Sequence, residues 1–224
     1  MSKREMQYEF SSGVRWTHWI RVVAIFALTV TGFYLAYVFV APEVSDEPIL
    51  FLNAEMRMWH QIFGFLLIAV TIFKIYLFFF DRTSKHERVS IWDFLSPRIW
   101  FEQVKYYLFM GESPRIRGVY NPLQFIAYVG LYAMVILISI TGLVLYVHSY
   151  HDGLGGFLYD YMRPLEVLMG GLANVREIHH IAMWGILIFV PIHIYMAIFN
   201  SIMGKEGSVD SIISGYKFKK PDSN

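Results

Sequence analysis

The stretch REIHHIAMWGILIFVPIHIYMAI, Arg176–Ile198, sets three histidines in text that is otherwise apolar enough for a membrane helix. His179 and His180 stand at one end and His193 lies inside the apolar run. An ionisable side chain at membrane depth costs a few kcal/mol and as a rule has a function there. A neutral imidazole can ligate a metal, relay a proton, or sit hydrogen-bonded in a core. Spacing separates these uses. His179 and His193 are 14 residues apart, which in an α-helix is a rise of about 21 Å and a phase difference of about 40°, so they share a face. His180 and His193 differ by about 140° and do not. The same interval separates His18 from Gly32 and His60 from Lys74.

The elements that must carry these residues follow from hydropathy. The chain is 56% hydrophobic and 17% charged, with a mean hydropathy of +0.43, too apolar for a soluble domain of this size. Four runs reach the ~20 residues that cross a bilayer: 17–40, 58–80, 122–147 and 178–203. Lipid offers backbone groups no partners, so all four are expected as α-helices. The first run is too long for a signal-peptide core, no small-residue cleavage site follows it, and it is expected to be retained. The fold class is therefore an all-α integral membrane protein, a four-transmembrane-helix bundle forming a single membrane domain over 1–224.

Lys and Arg orient it. The N-terminal tail, the 81–121 loop and the C-terminal tail together hold fourteen, whereas the 148–177 loop has Arg163 and Arg176. The 41–57 loop is acidic, with Glu43, Asp46, Glu47 and Glu55. Both termini and the 81–121 loop are thus expected in the cytoplasm, and loops 41–57 and 148–177 in the periplasm. Trp16, Trp19, Trp59 and Trp184 fall near the interfaces, as aromatic belts do. The aromatic and basic IWDFLSPRIWFEQVKYYLF between helices 2 and 3 reads as one or two interfacial helices.

On this frame His18 opens the first helix on the cytoplasmic side, His60 opens the second on the other side, and His179 opens the fourth level with His60. His193 then returns to the level of His18. Two pairs of imidazoles on facing helices suit two six-coordinate b-type haems, each taking one axial nitrogen from each of two helices. The absence of cysteine excludes iron–sulfur clusters, thiolate sites, disulfides and covalent c-type attachment. Gly32, Gly64 and Gly185 either leave room for a tetrapyrrole or serve as helix-packing glycines. Lys74 either neutralises a haem propionate or snorkels to the interface. Arg21 and Lys74 lie at the level of His18 and His193. Pro191 kinks the fourth helix and either aims His193 or shapes the bundle. His180 reads as a packing or interface residue, His148 and His151 as interfacial, and His86 as solvated. No basic face supports nucleic-acid binding. A histidine-using transporter or metal permease would show acidic residues or inverted repeats in the spans, and the sequence has neither.

The openings VRWTHW and MRMWHQIFG, with IHHIAMWGILIFVPIHIYMA in the fourth helix and NPLQFIAYVGLYAMVILISITGLVLY in the third, resemble the b-type cytochrome subunit of membrane-bound nickel–iron (NiFe) uptake hydrogenases. The likeness runs from about Tyr8 to Tyr216, and IISGYKFKK resembles the hydrogenase branch in particular. RWxHW alone is shared by the wider superfamily, so the cytochrome b subunit of a formate dehydrogenase or thiosulfate reductase is the alternative within the architecture. The resemblance implies a protein of the bacterial inner membrane docked to the small and large subunits of a periplasmic hydrogenase. It implies axial ligation of a periplasmic-side haem by His60 and His179 and of a cytoplasmic-side haem by His18 and His193, with no ligand from the third helix. Electrons from hydrogen oxidation on the partner subunits would pass through both haems to a quinone, menaquinone by that likeness, reduced on this chain, with Arg21 and Lys74 as candidates for its neighbourhood.

Overall fold

The computed structural model describes residues 5–37, 51–203 and 207–219. Lys3, Arg4, Lys205 and Lys220, the end of the first expected span and most of the 41–57 loop, with Glu43, Asp46 and Glu47, lie outside the described residues. Four helices are long and apolar enough to cross a membrane: α1 (Ser12–Tyr37), α2 (Leu52–Phe80), α5 (Pro122–Val147) and α7 (Leu172–Ile202). Between α2 and α5 stand α3 (Lys85–Phe94) and α4 (Pro97–Tyr107). The helix α6 (Leu154–Leu168) lies between α5 and α7, and α8 (Ser208–Ser214) follows α7. Two short strands, β1 (Glu5–Tyr8) and β2 (Tyr216–Lys219), pair antiparallel from Glu5↔Lys219 to Tyr8↔Tyr216.

Local chemistry sets the ends of these helices. Asn121 and Gln124 form a reciprocal capping box: the Asn121 side chain accepts from the Gln124 amide at 2.9 Å and the Gln124 side chain from the Asn121 amide at 3.1 Å. Pro122 sits at the first helical position, where a missing N–H costs nothing. α1, α2 and α7 begin a turn or more before their apolar runs, because a helix continues through polar residues until something stops it. The 148–177 segment, expected as a loop, contains α6, and Arg176 lies inside α7. What ends α6 is a Schellman motif, with the Gly170 amide donating to the Val167 carbonyl at 3.0 Å and the Gly171 amide to the Glu166 carbonyl at 2.9 Å. Both glycines have positive φ, 86° and 96°, which side-chain-bearing residues rarely adopt.

The chain packs as two compact units, and every long helix contributes a segment to each. The first comprises 1–18, 72–133 and 185–224. In it Phe10, Val14 and Val119 form a small core with Leu77 and Tyr120 against it, and the β1–β2 pair adds an edge-on Tyr8–Tyr216 contact at 5.1 Å. The buried Asp93 carboxylate accepts the Arg117 and Gly118 amides at 2.8 and 2.7 Å, tying the segment before α5 to α3. Lys74, on α2, is buried with Glu87 of α3, its ammonium 2.8 and 2.9 Å from the two carboxylate oxygens. Ser84 adds a third hydrogen bond to Glu87. Trp92, Leu95, Phe101, Leu108, Phe109 and Met110 of the α3–α4 region are exposed.

The second unit comprises 19–71 and 134–184. Val144, Val147, Val175 and Ala24 are buried in it, with edge-on contacts of Phe65 to Tyr146 at 5.1 Å and of Phe33 to Trp184 at 5.7 Å. Glu166 of α6 receives Arg163 at 2.6 Å and also meets His148, the residue after α5. On the long helices Phe26, Ile72, Phe79, Ile181, Ile188 and Tyr195 are exposed, an apolar exterior that water does not tolerate over such an area.

Glu87→Leu leaves a buried ammonium without its carboxylate and is expected to cost about 3–5 kcal/mol, whereas Lys74→Met with Glu87→Leu is expected to recover most of that loss. Thermal unfolding of the detergent-solubilised protein measures both. The hydrogen bond from Arg163, followed by the contact with His148, holds the Glu166 carboxyl below its ordinary 4.5 against the opposing effect of burial. A carboxyl held down in the folded state stabilises it above the ordinary value and loses that contribution as pH falls through the folded one. Amide hydrogen exchange in α6 is therefore expected to be flat from pH 7 to about 5, once corrected for intrinsic rates, and to accelerate below about 4.

Candidate functional site: two histidine pairs

Each compact unit holds one pair of facing imidazoles. In the first, His18 of α1 and His193 of α7 have ring centroids 6.2 Å apart with planes at 53°. Phe189, one turn earlier on α7, stacks on His193 at 5.5 Å and 12°. Tyr128 of α5 approaches the same ring edge-on, and its hydroxyl lies 3.3 Å from His193 Nδ1. In the second unit, His60 of α2 and His179 of α7 have ring centroids 6.4 Å apart with planes at 58°. All four rings are half-buried, and α7 supplies one member of each pair.

Hydrogen bonds fix the second pair further. Thr31 of α1 is 2.9 Å from His60 Nδ1, and Thr141 of α5 is 2.8 Å from His179 Nδ1. Each threonine hydroxyl also donates to a carbonyl of its own helix, Thr31 to Ala27 at 2.8 Å and Thr141 to Leu137 at 2.9 Å. With its single proton so committed, each hydroxyl oxygen accepts, and the imidazole nitrogen donates. This network assigns the proton to Nδ1 in both rings and leaves the Nε2 lone pair for something else.

The geometry suits a metal between the rings. With metal–imidazole bonds of about 2.0 Å and about 1.15 Å from ring nitrogen to ring centre, two trans imidazoles have centroids roughly 6.3 Å apart. Among the described residues no three His, Asp or Glu side chains cluster to hold an ion by themselves. Two protein ligands fit an iron whose other four positions belong to a planar macrocycle. Room beside the helices differs by position. A Cβ at Gly64 or Gly130 would meet nothing within 4 Å, whereas one at Gly32 would stand 3.2 Å from His60 Cε1 and one at Gly142 3.5 Å from His179 Cε1.

The remaining sequence candidates are distributed as follows. Lys74 lies in the same unit as His18 and His193, but its ammonium is engaged by Glu87. Arg21, three residues after His18 on α1, is half-buried in the second unit. Gly185 is half-buried. His180 and His151 are exposed, His148 is held by Glu166, and His86 is half-buried in α3. Sequence reasoning missed Thr31, Thr141, Gly142, Tyr128 and Glu87. One signal was available for the first three: the dipeptide Thr-Gly occurs in both α1 and α5, as VTGFYL and ITGLVL. A lone Thr-Gly in a membrane helix reads as packing, and nothing linear points from residue 31 to 60 or from 141 to 179.

Comparison with known proteins adds the family context. The family model described as prokaryotic cytochrome b561 matches residues 9–215. A relative from Rhizobium leguminosarum bv. viciae, named "Probable Ni/Fe-hydrogenase B-type cytochrome subunit", is 28% identical over 222 residues, covering 97% of this chain and 91% of its own. Similarly named proteins from Rhodobacter capsulatus and Escherichia coli K12 are 27% and 29% identical. They cover 98% and 95% of this chain and 84% and 91% of their own.

Proposed function

Because the chain belongs to the prokaryotic cytochrome b561 family, we propose that it is a two-haem conduit carrying electrons from a periplasmic NiFe hydrogenase to a membrane quinone. The coarser identity is a hydrogenase-type b cytochrome subunit and a multi-pass protein of the bacterial inner membrane. The observation that carries the finer reading is the pair of imidazole couples at 6.2 and 6.4 Å, one in each unit. A transporter has no need of two such couples, each at the spacing of a bis-imidazole iron.

In this reading His60 and His179 are the axial ligands of the periplasmic-side haem, and His18 and His193 those of the cytoplasmic-side haem. Haem b bound in these positions supplies reversible one-electron storage. The protein side consists of holding and insulating. Thr31 and Thr141, by accepting at Nδ1, would keep the Nε2 atoms of His60 and His179 unprotonated. Phe189 fixes the plane of His193, and Tyr128 borders it. Gly64 and Gly130 leave space that a side chain would fill. Lys74 brings no net charge, since Glu87 neutralises it, so a propionate or a quinone near it would meet an oriented ion pair rather than a bare cation. The charge distribution supports cytoplasmic termini and a periplasmic docking face, with the chain acting as one membrane domain. The relatives' names support hydrogenase subunits as partners, and the quinone pool is the electron acceptor that this reading assigns.

A reduced-minus-oxidised absorption spectrum of the purified protein, with haem and protein quantified, is expected to show b-type bands and two haems per chain. Absence of a b-type band overturns the reading, and a ratio near one removes one couple from it. His179→Ala is expected to lose at least one haem, and His180→Ala to keep both. The reverse result would reassign the ligand within the doublet. In membranes containing the hydrogenase, hydrogen is expected to reduce the b bands, and an added quinone to reoxidise them.

A further inference from the structure

The two histidines of the second unit are held by the same device, used twice. On α1 the consecutive residues Thr31 and Gly32 face His60: the hydroxyl takes the Nδ1 proton at 2.9 Å, and the missing side chain lets Cε1 come within 3.2 Å of where a Cβ would be. On α5 the consecutive residues Thr141 and Gly142 do the same for His179, at 2.8 and 3.5 Å. Both threonines are buried, at 6% and 0% exposure. Both bond back to the carbonyl four residues earlier. Threonines in membrane helices commonly bond back to their own helix with no further role. That habit accounts for the hydroxyl proton, and it does not account for an imidazole from another helix donating to the same oxygen twice over. Nor does it account for a glycine following each threonine under the ring's carbon edge.

We propose that Thr31–Gly32 and Thr141–Gly142 are twin positioning seats that fix the rotation and the Nδ1–H tautomer of His60 and His179, and so set the reduction potential of the one haem these histidines ligate. The proposal rests on the two-haem reading. Its physical content is the outer-shell effect: an acceptor on Nδ1–H makes the imidazole a stronger electron donor through Nε2, which favours the ferric over the ferrous iron. A hydroxyl acceptor on each of these two imidazoles would therefore lower the potential of that haem. His193 of the other couple has a phenol, Tyr128, at this nitrogen instead, so the Thr-Gly seats act on one haem selectively.

The test is potentiometric titration of the b bands in the full-length protein, together with the haem-to-protein ratio, for Thr31→Val, Thr141→Val and the corresponding Ser variants. Valine keeps the shape and removes the acceptor, and serine keeps the acceptor. The expected result is two haems in each valine variant, the midpoint of one shifted upward and the other unmoved, with serine variants close to wild type. If valine variants lose a haem while serine variants retain it, the seat is likewise supported, because serine keeps the hydroxyl although it has lost the methyl that valine retains. If valine and serine variants both lose it, or if valine leaves both midpoints unmoved, the threonines act by packing alone and the proposal falls. Equal shifts of both haems also overturn it, as general loosening. The glycine half has its own readout. Gly32→Ala meets the ring at 3.2 Å and is expected to perturb the low-spin ferric resonance more than Gly142→Ala, which meets it at 3.5 Å; the opposite order overturns the steric half. Failure of the parent reading looks different: the wild-type ratio would fall short of two, or His60→Ala and His179→Ala would both retain two haems, whatever the threonine variants do.

Discussion

An imidazole set among membrane helices has two ring nitrogens to satisfy and no water to satisfy them. Much of the arrangement around the histidine couples answers that constraint. In the His60–His179 couple the protein provides an acceptor for Nδ1 on each ring and, among the described residues, no comparable partner for Nε2. The acceptor is a threonine whose own proton is spent on its helix, so the direction of each hydrogen bond is fixed by the neighbours. Donor and acceptor roles thus propagate from backbone carbonyl to hydroxyl to imidazole, and that chain ends at a ring whose centre lies 6.4 Å from its counterpart's.

The same pressure shapes the first unit by a different route. Lys74 and Glu87 are both buried, at 7% and 4% side-chain exposure, and neither would be tolerated there without the other. Their pairing joins α2 to α3. Asp93 ties the segment before α5 to α3 through two backbone amides. A charged helix that hydropathy marks only as interfacial is thereby anchored by its acidic residues as well as by Phe94 on Phe125, and Trp92 on α3 and Leu95 just after it stay exposed. The His18–His193 couple in this unit relies on aromatic packing, Phe189 on one face and Tyr128 on the edge.

Long elements were legible, and among the short ones the helices between α2 and α5 were too, whereas α6 and the strands were not. The four apolar runs declare themselves because spanning requires about 20 consecutive apolar residues, and the NPLQ capping box marks the start of α5 directly. The ends of the other long helices are less visible, because hydropathy reports where lipid could begin while the helix continues until a cap or a glycine stops it. α6 was missed for a related reason: residues 148–177 open on His, Asp and Gly and are interrupted by Pro164, so they read as loop. The β1–β2 pair joins residues over 200 positions apart, and no local pattern encodes a partner at that distance.

For the site, the sequence by itself determined which histidines can share a helix face. Fourteen residues on one helix fix the common phase of His179 and His193 and turn His180 away, whatever surrounds them. Only the tertiary structure decided what each ring rests on. Thr31 for His60, Thr141 for His179, Tyr128 for His193 and Glu87 for Lys74 are each supplied by another helix. Helical periodicity dictates direction within one helix and is silent about its neighbour, so the partner of a ring nitrogen or a buried ammonium exists only once the helices have packed.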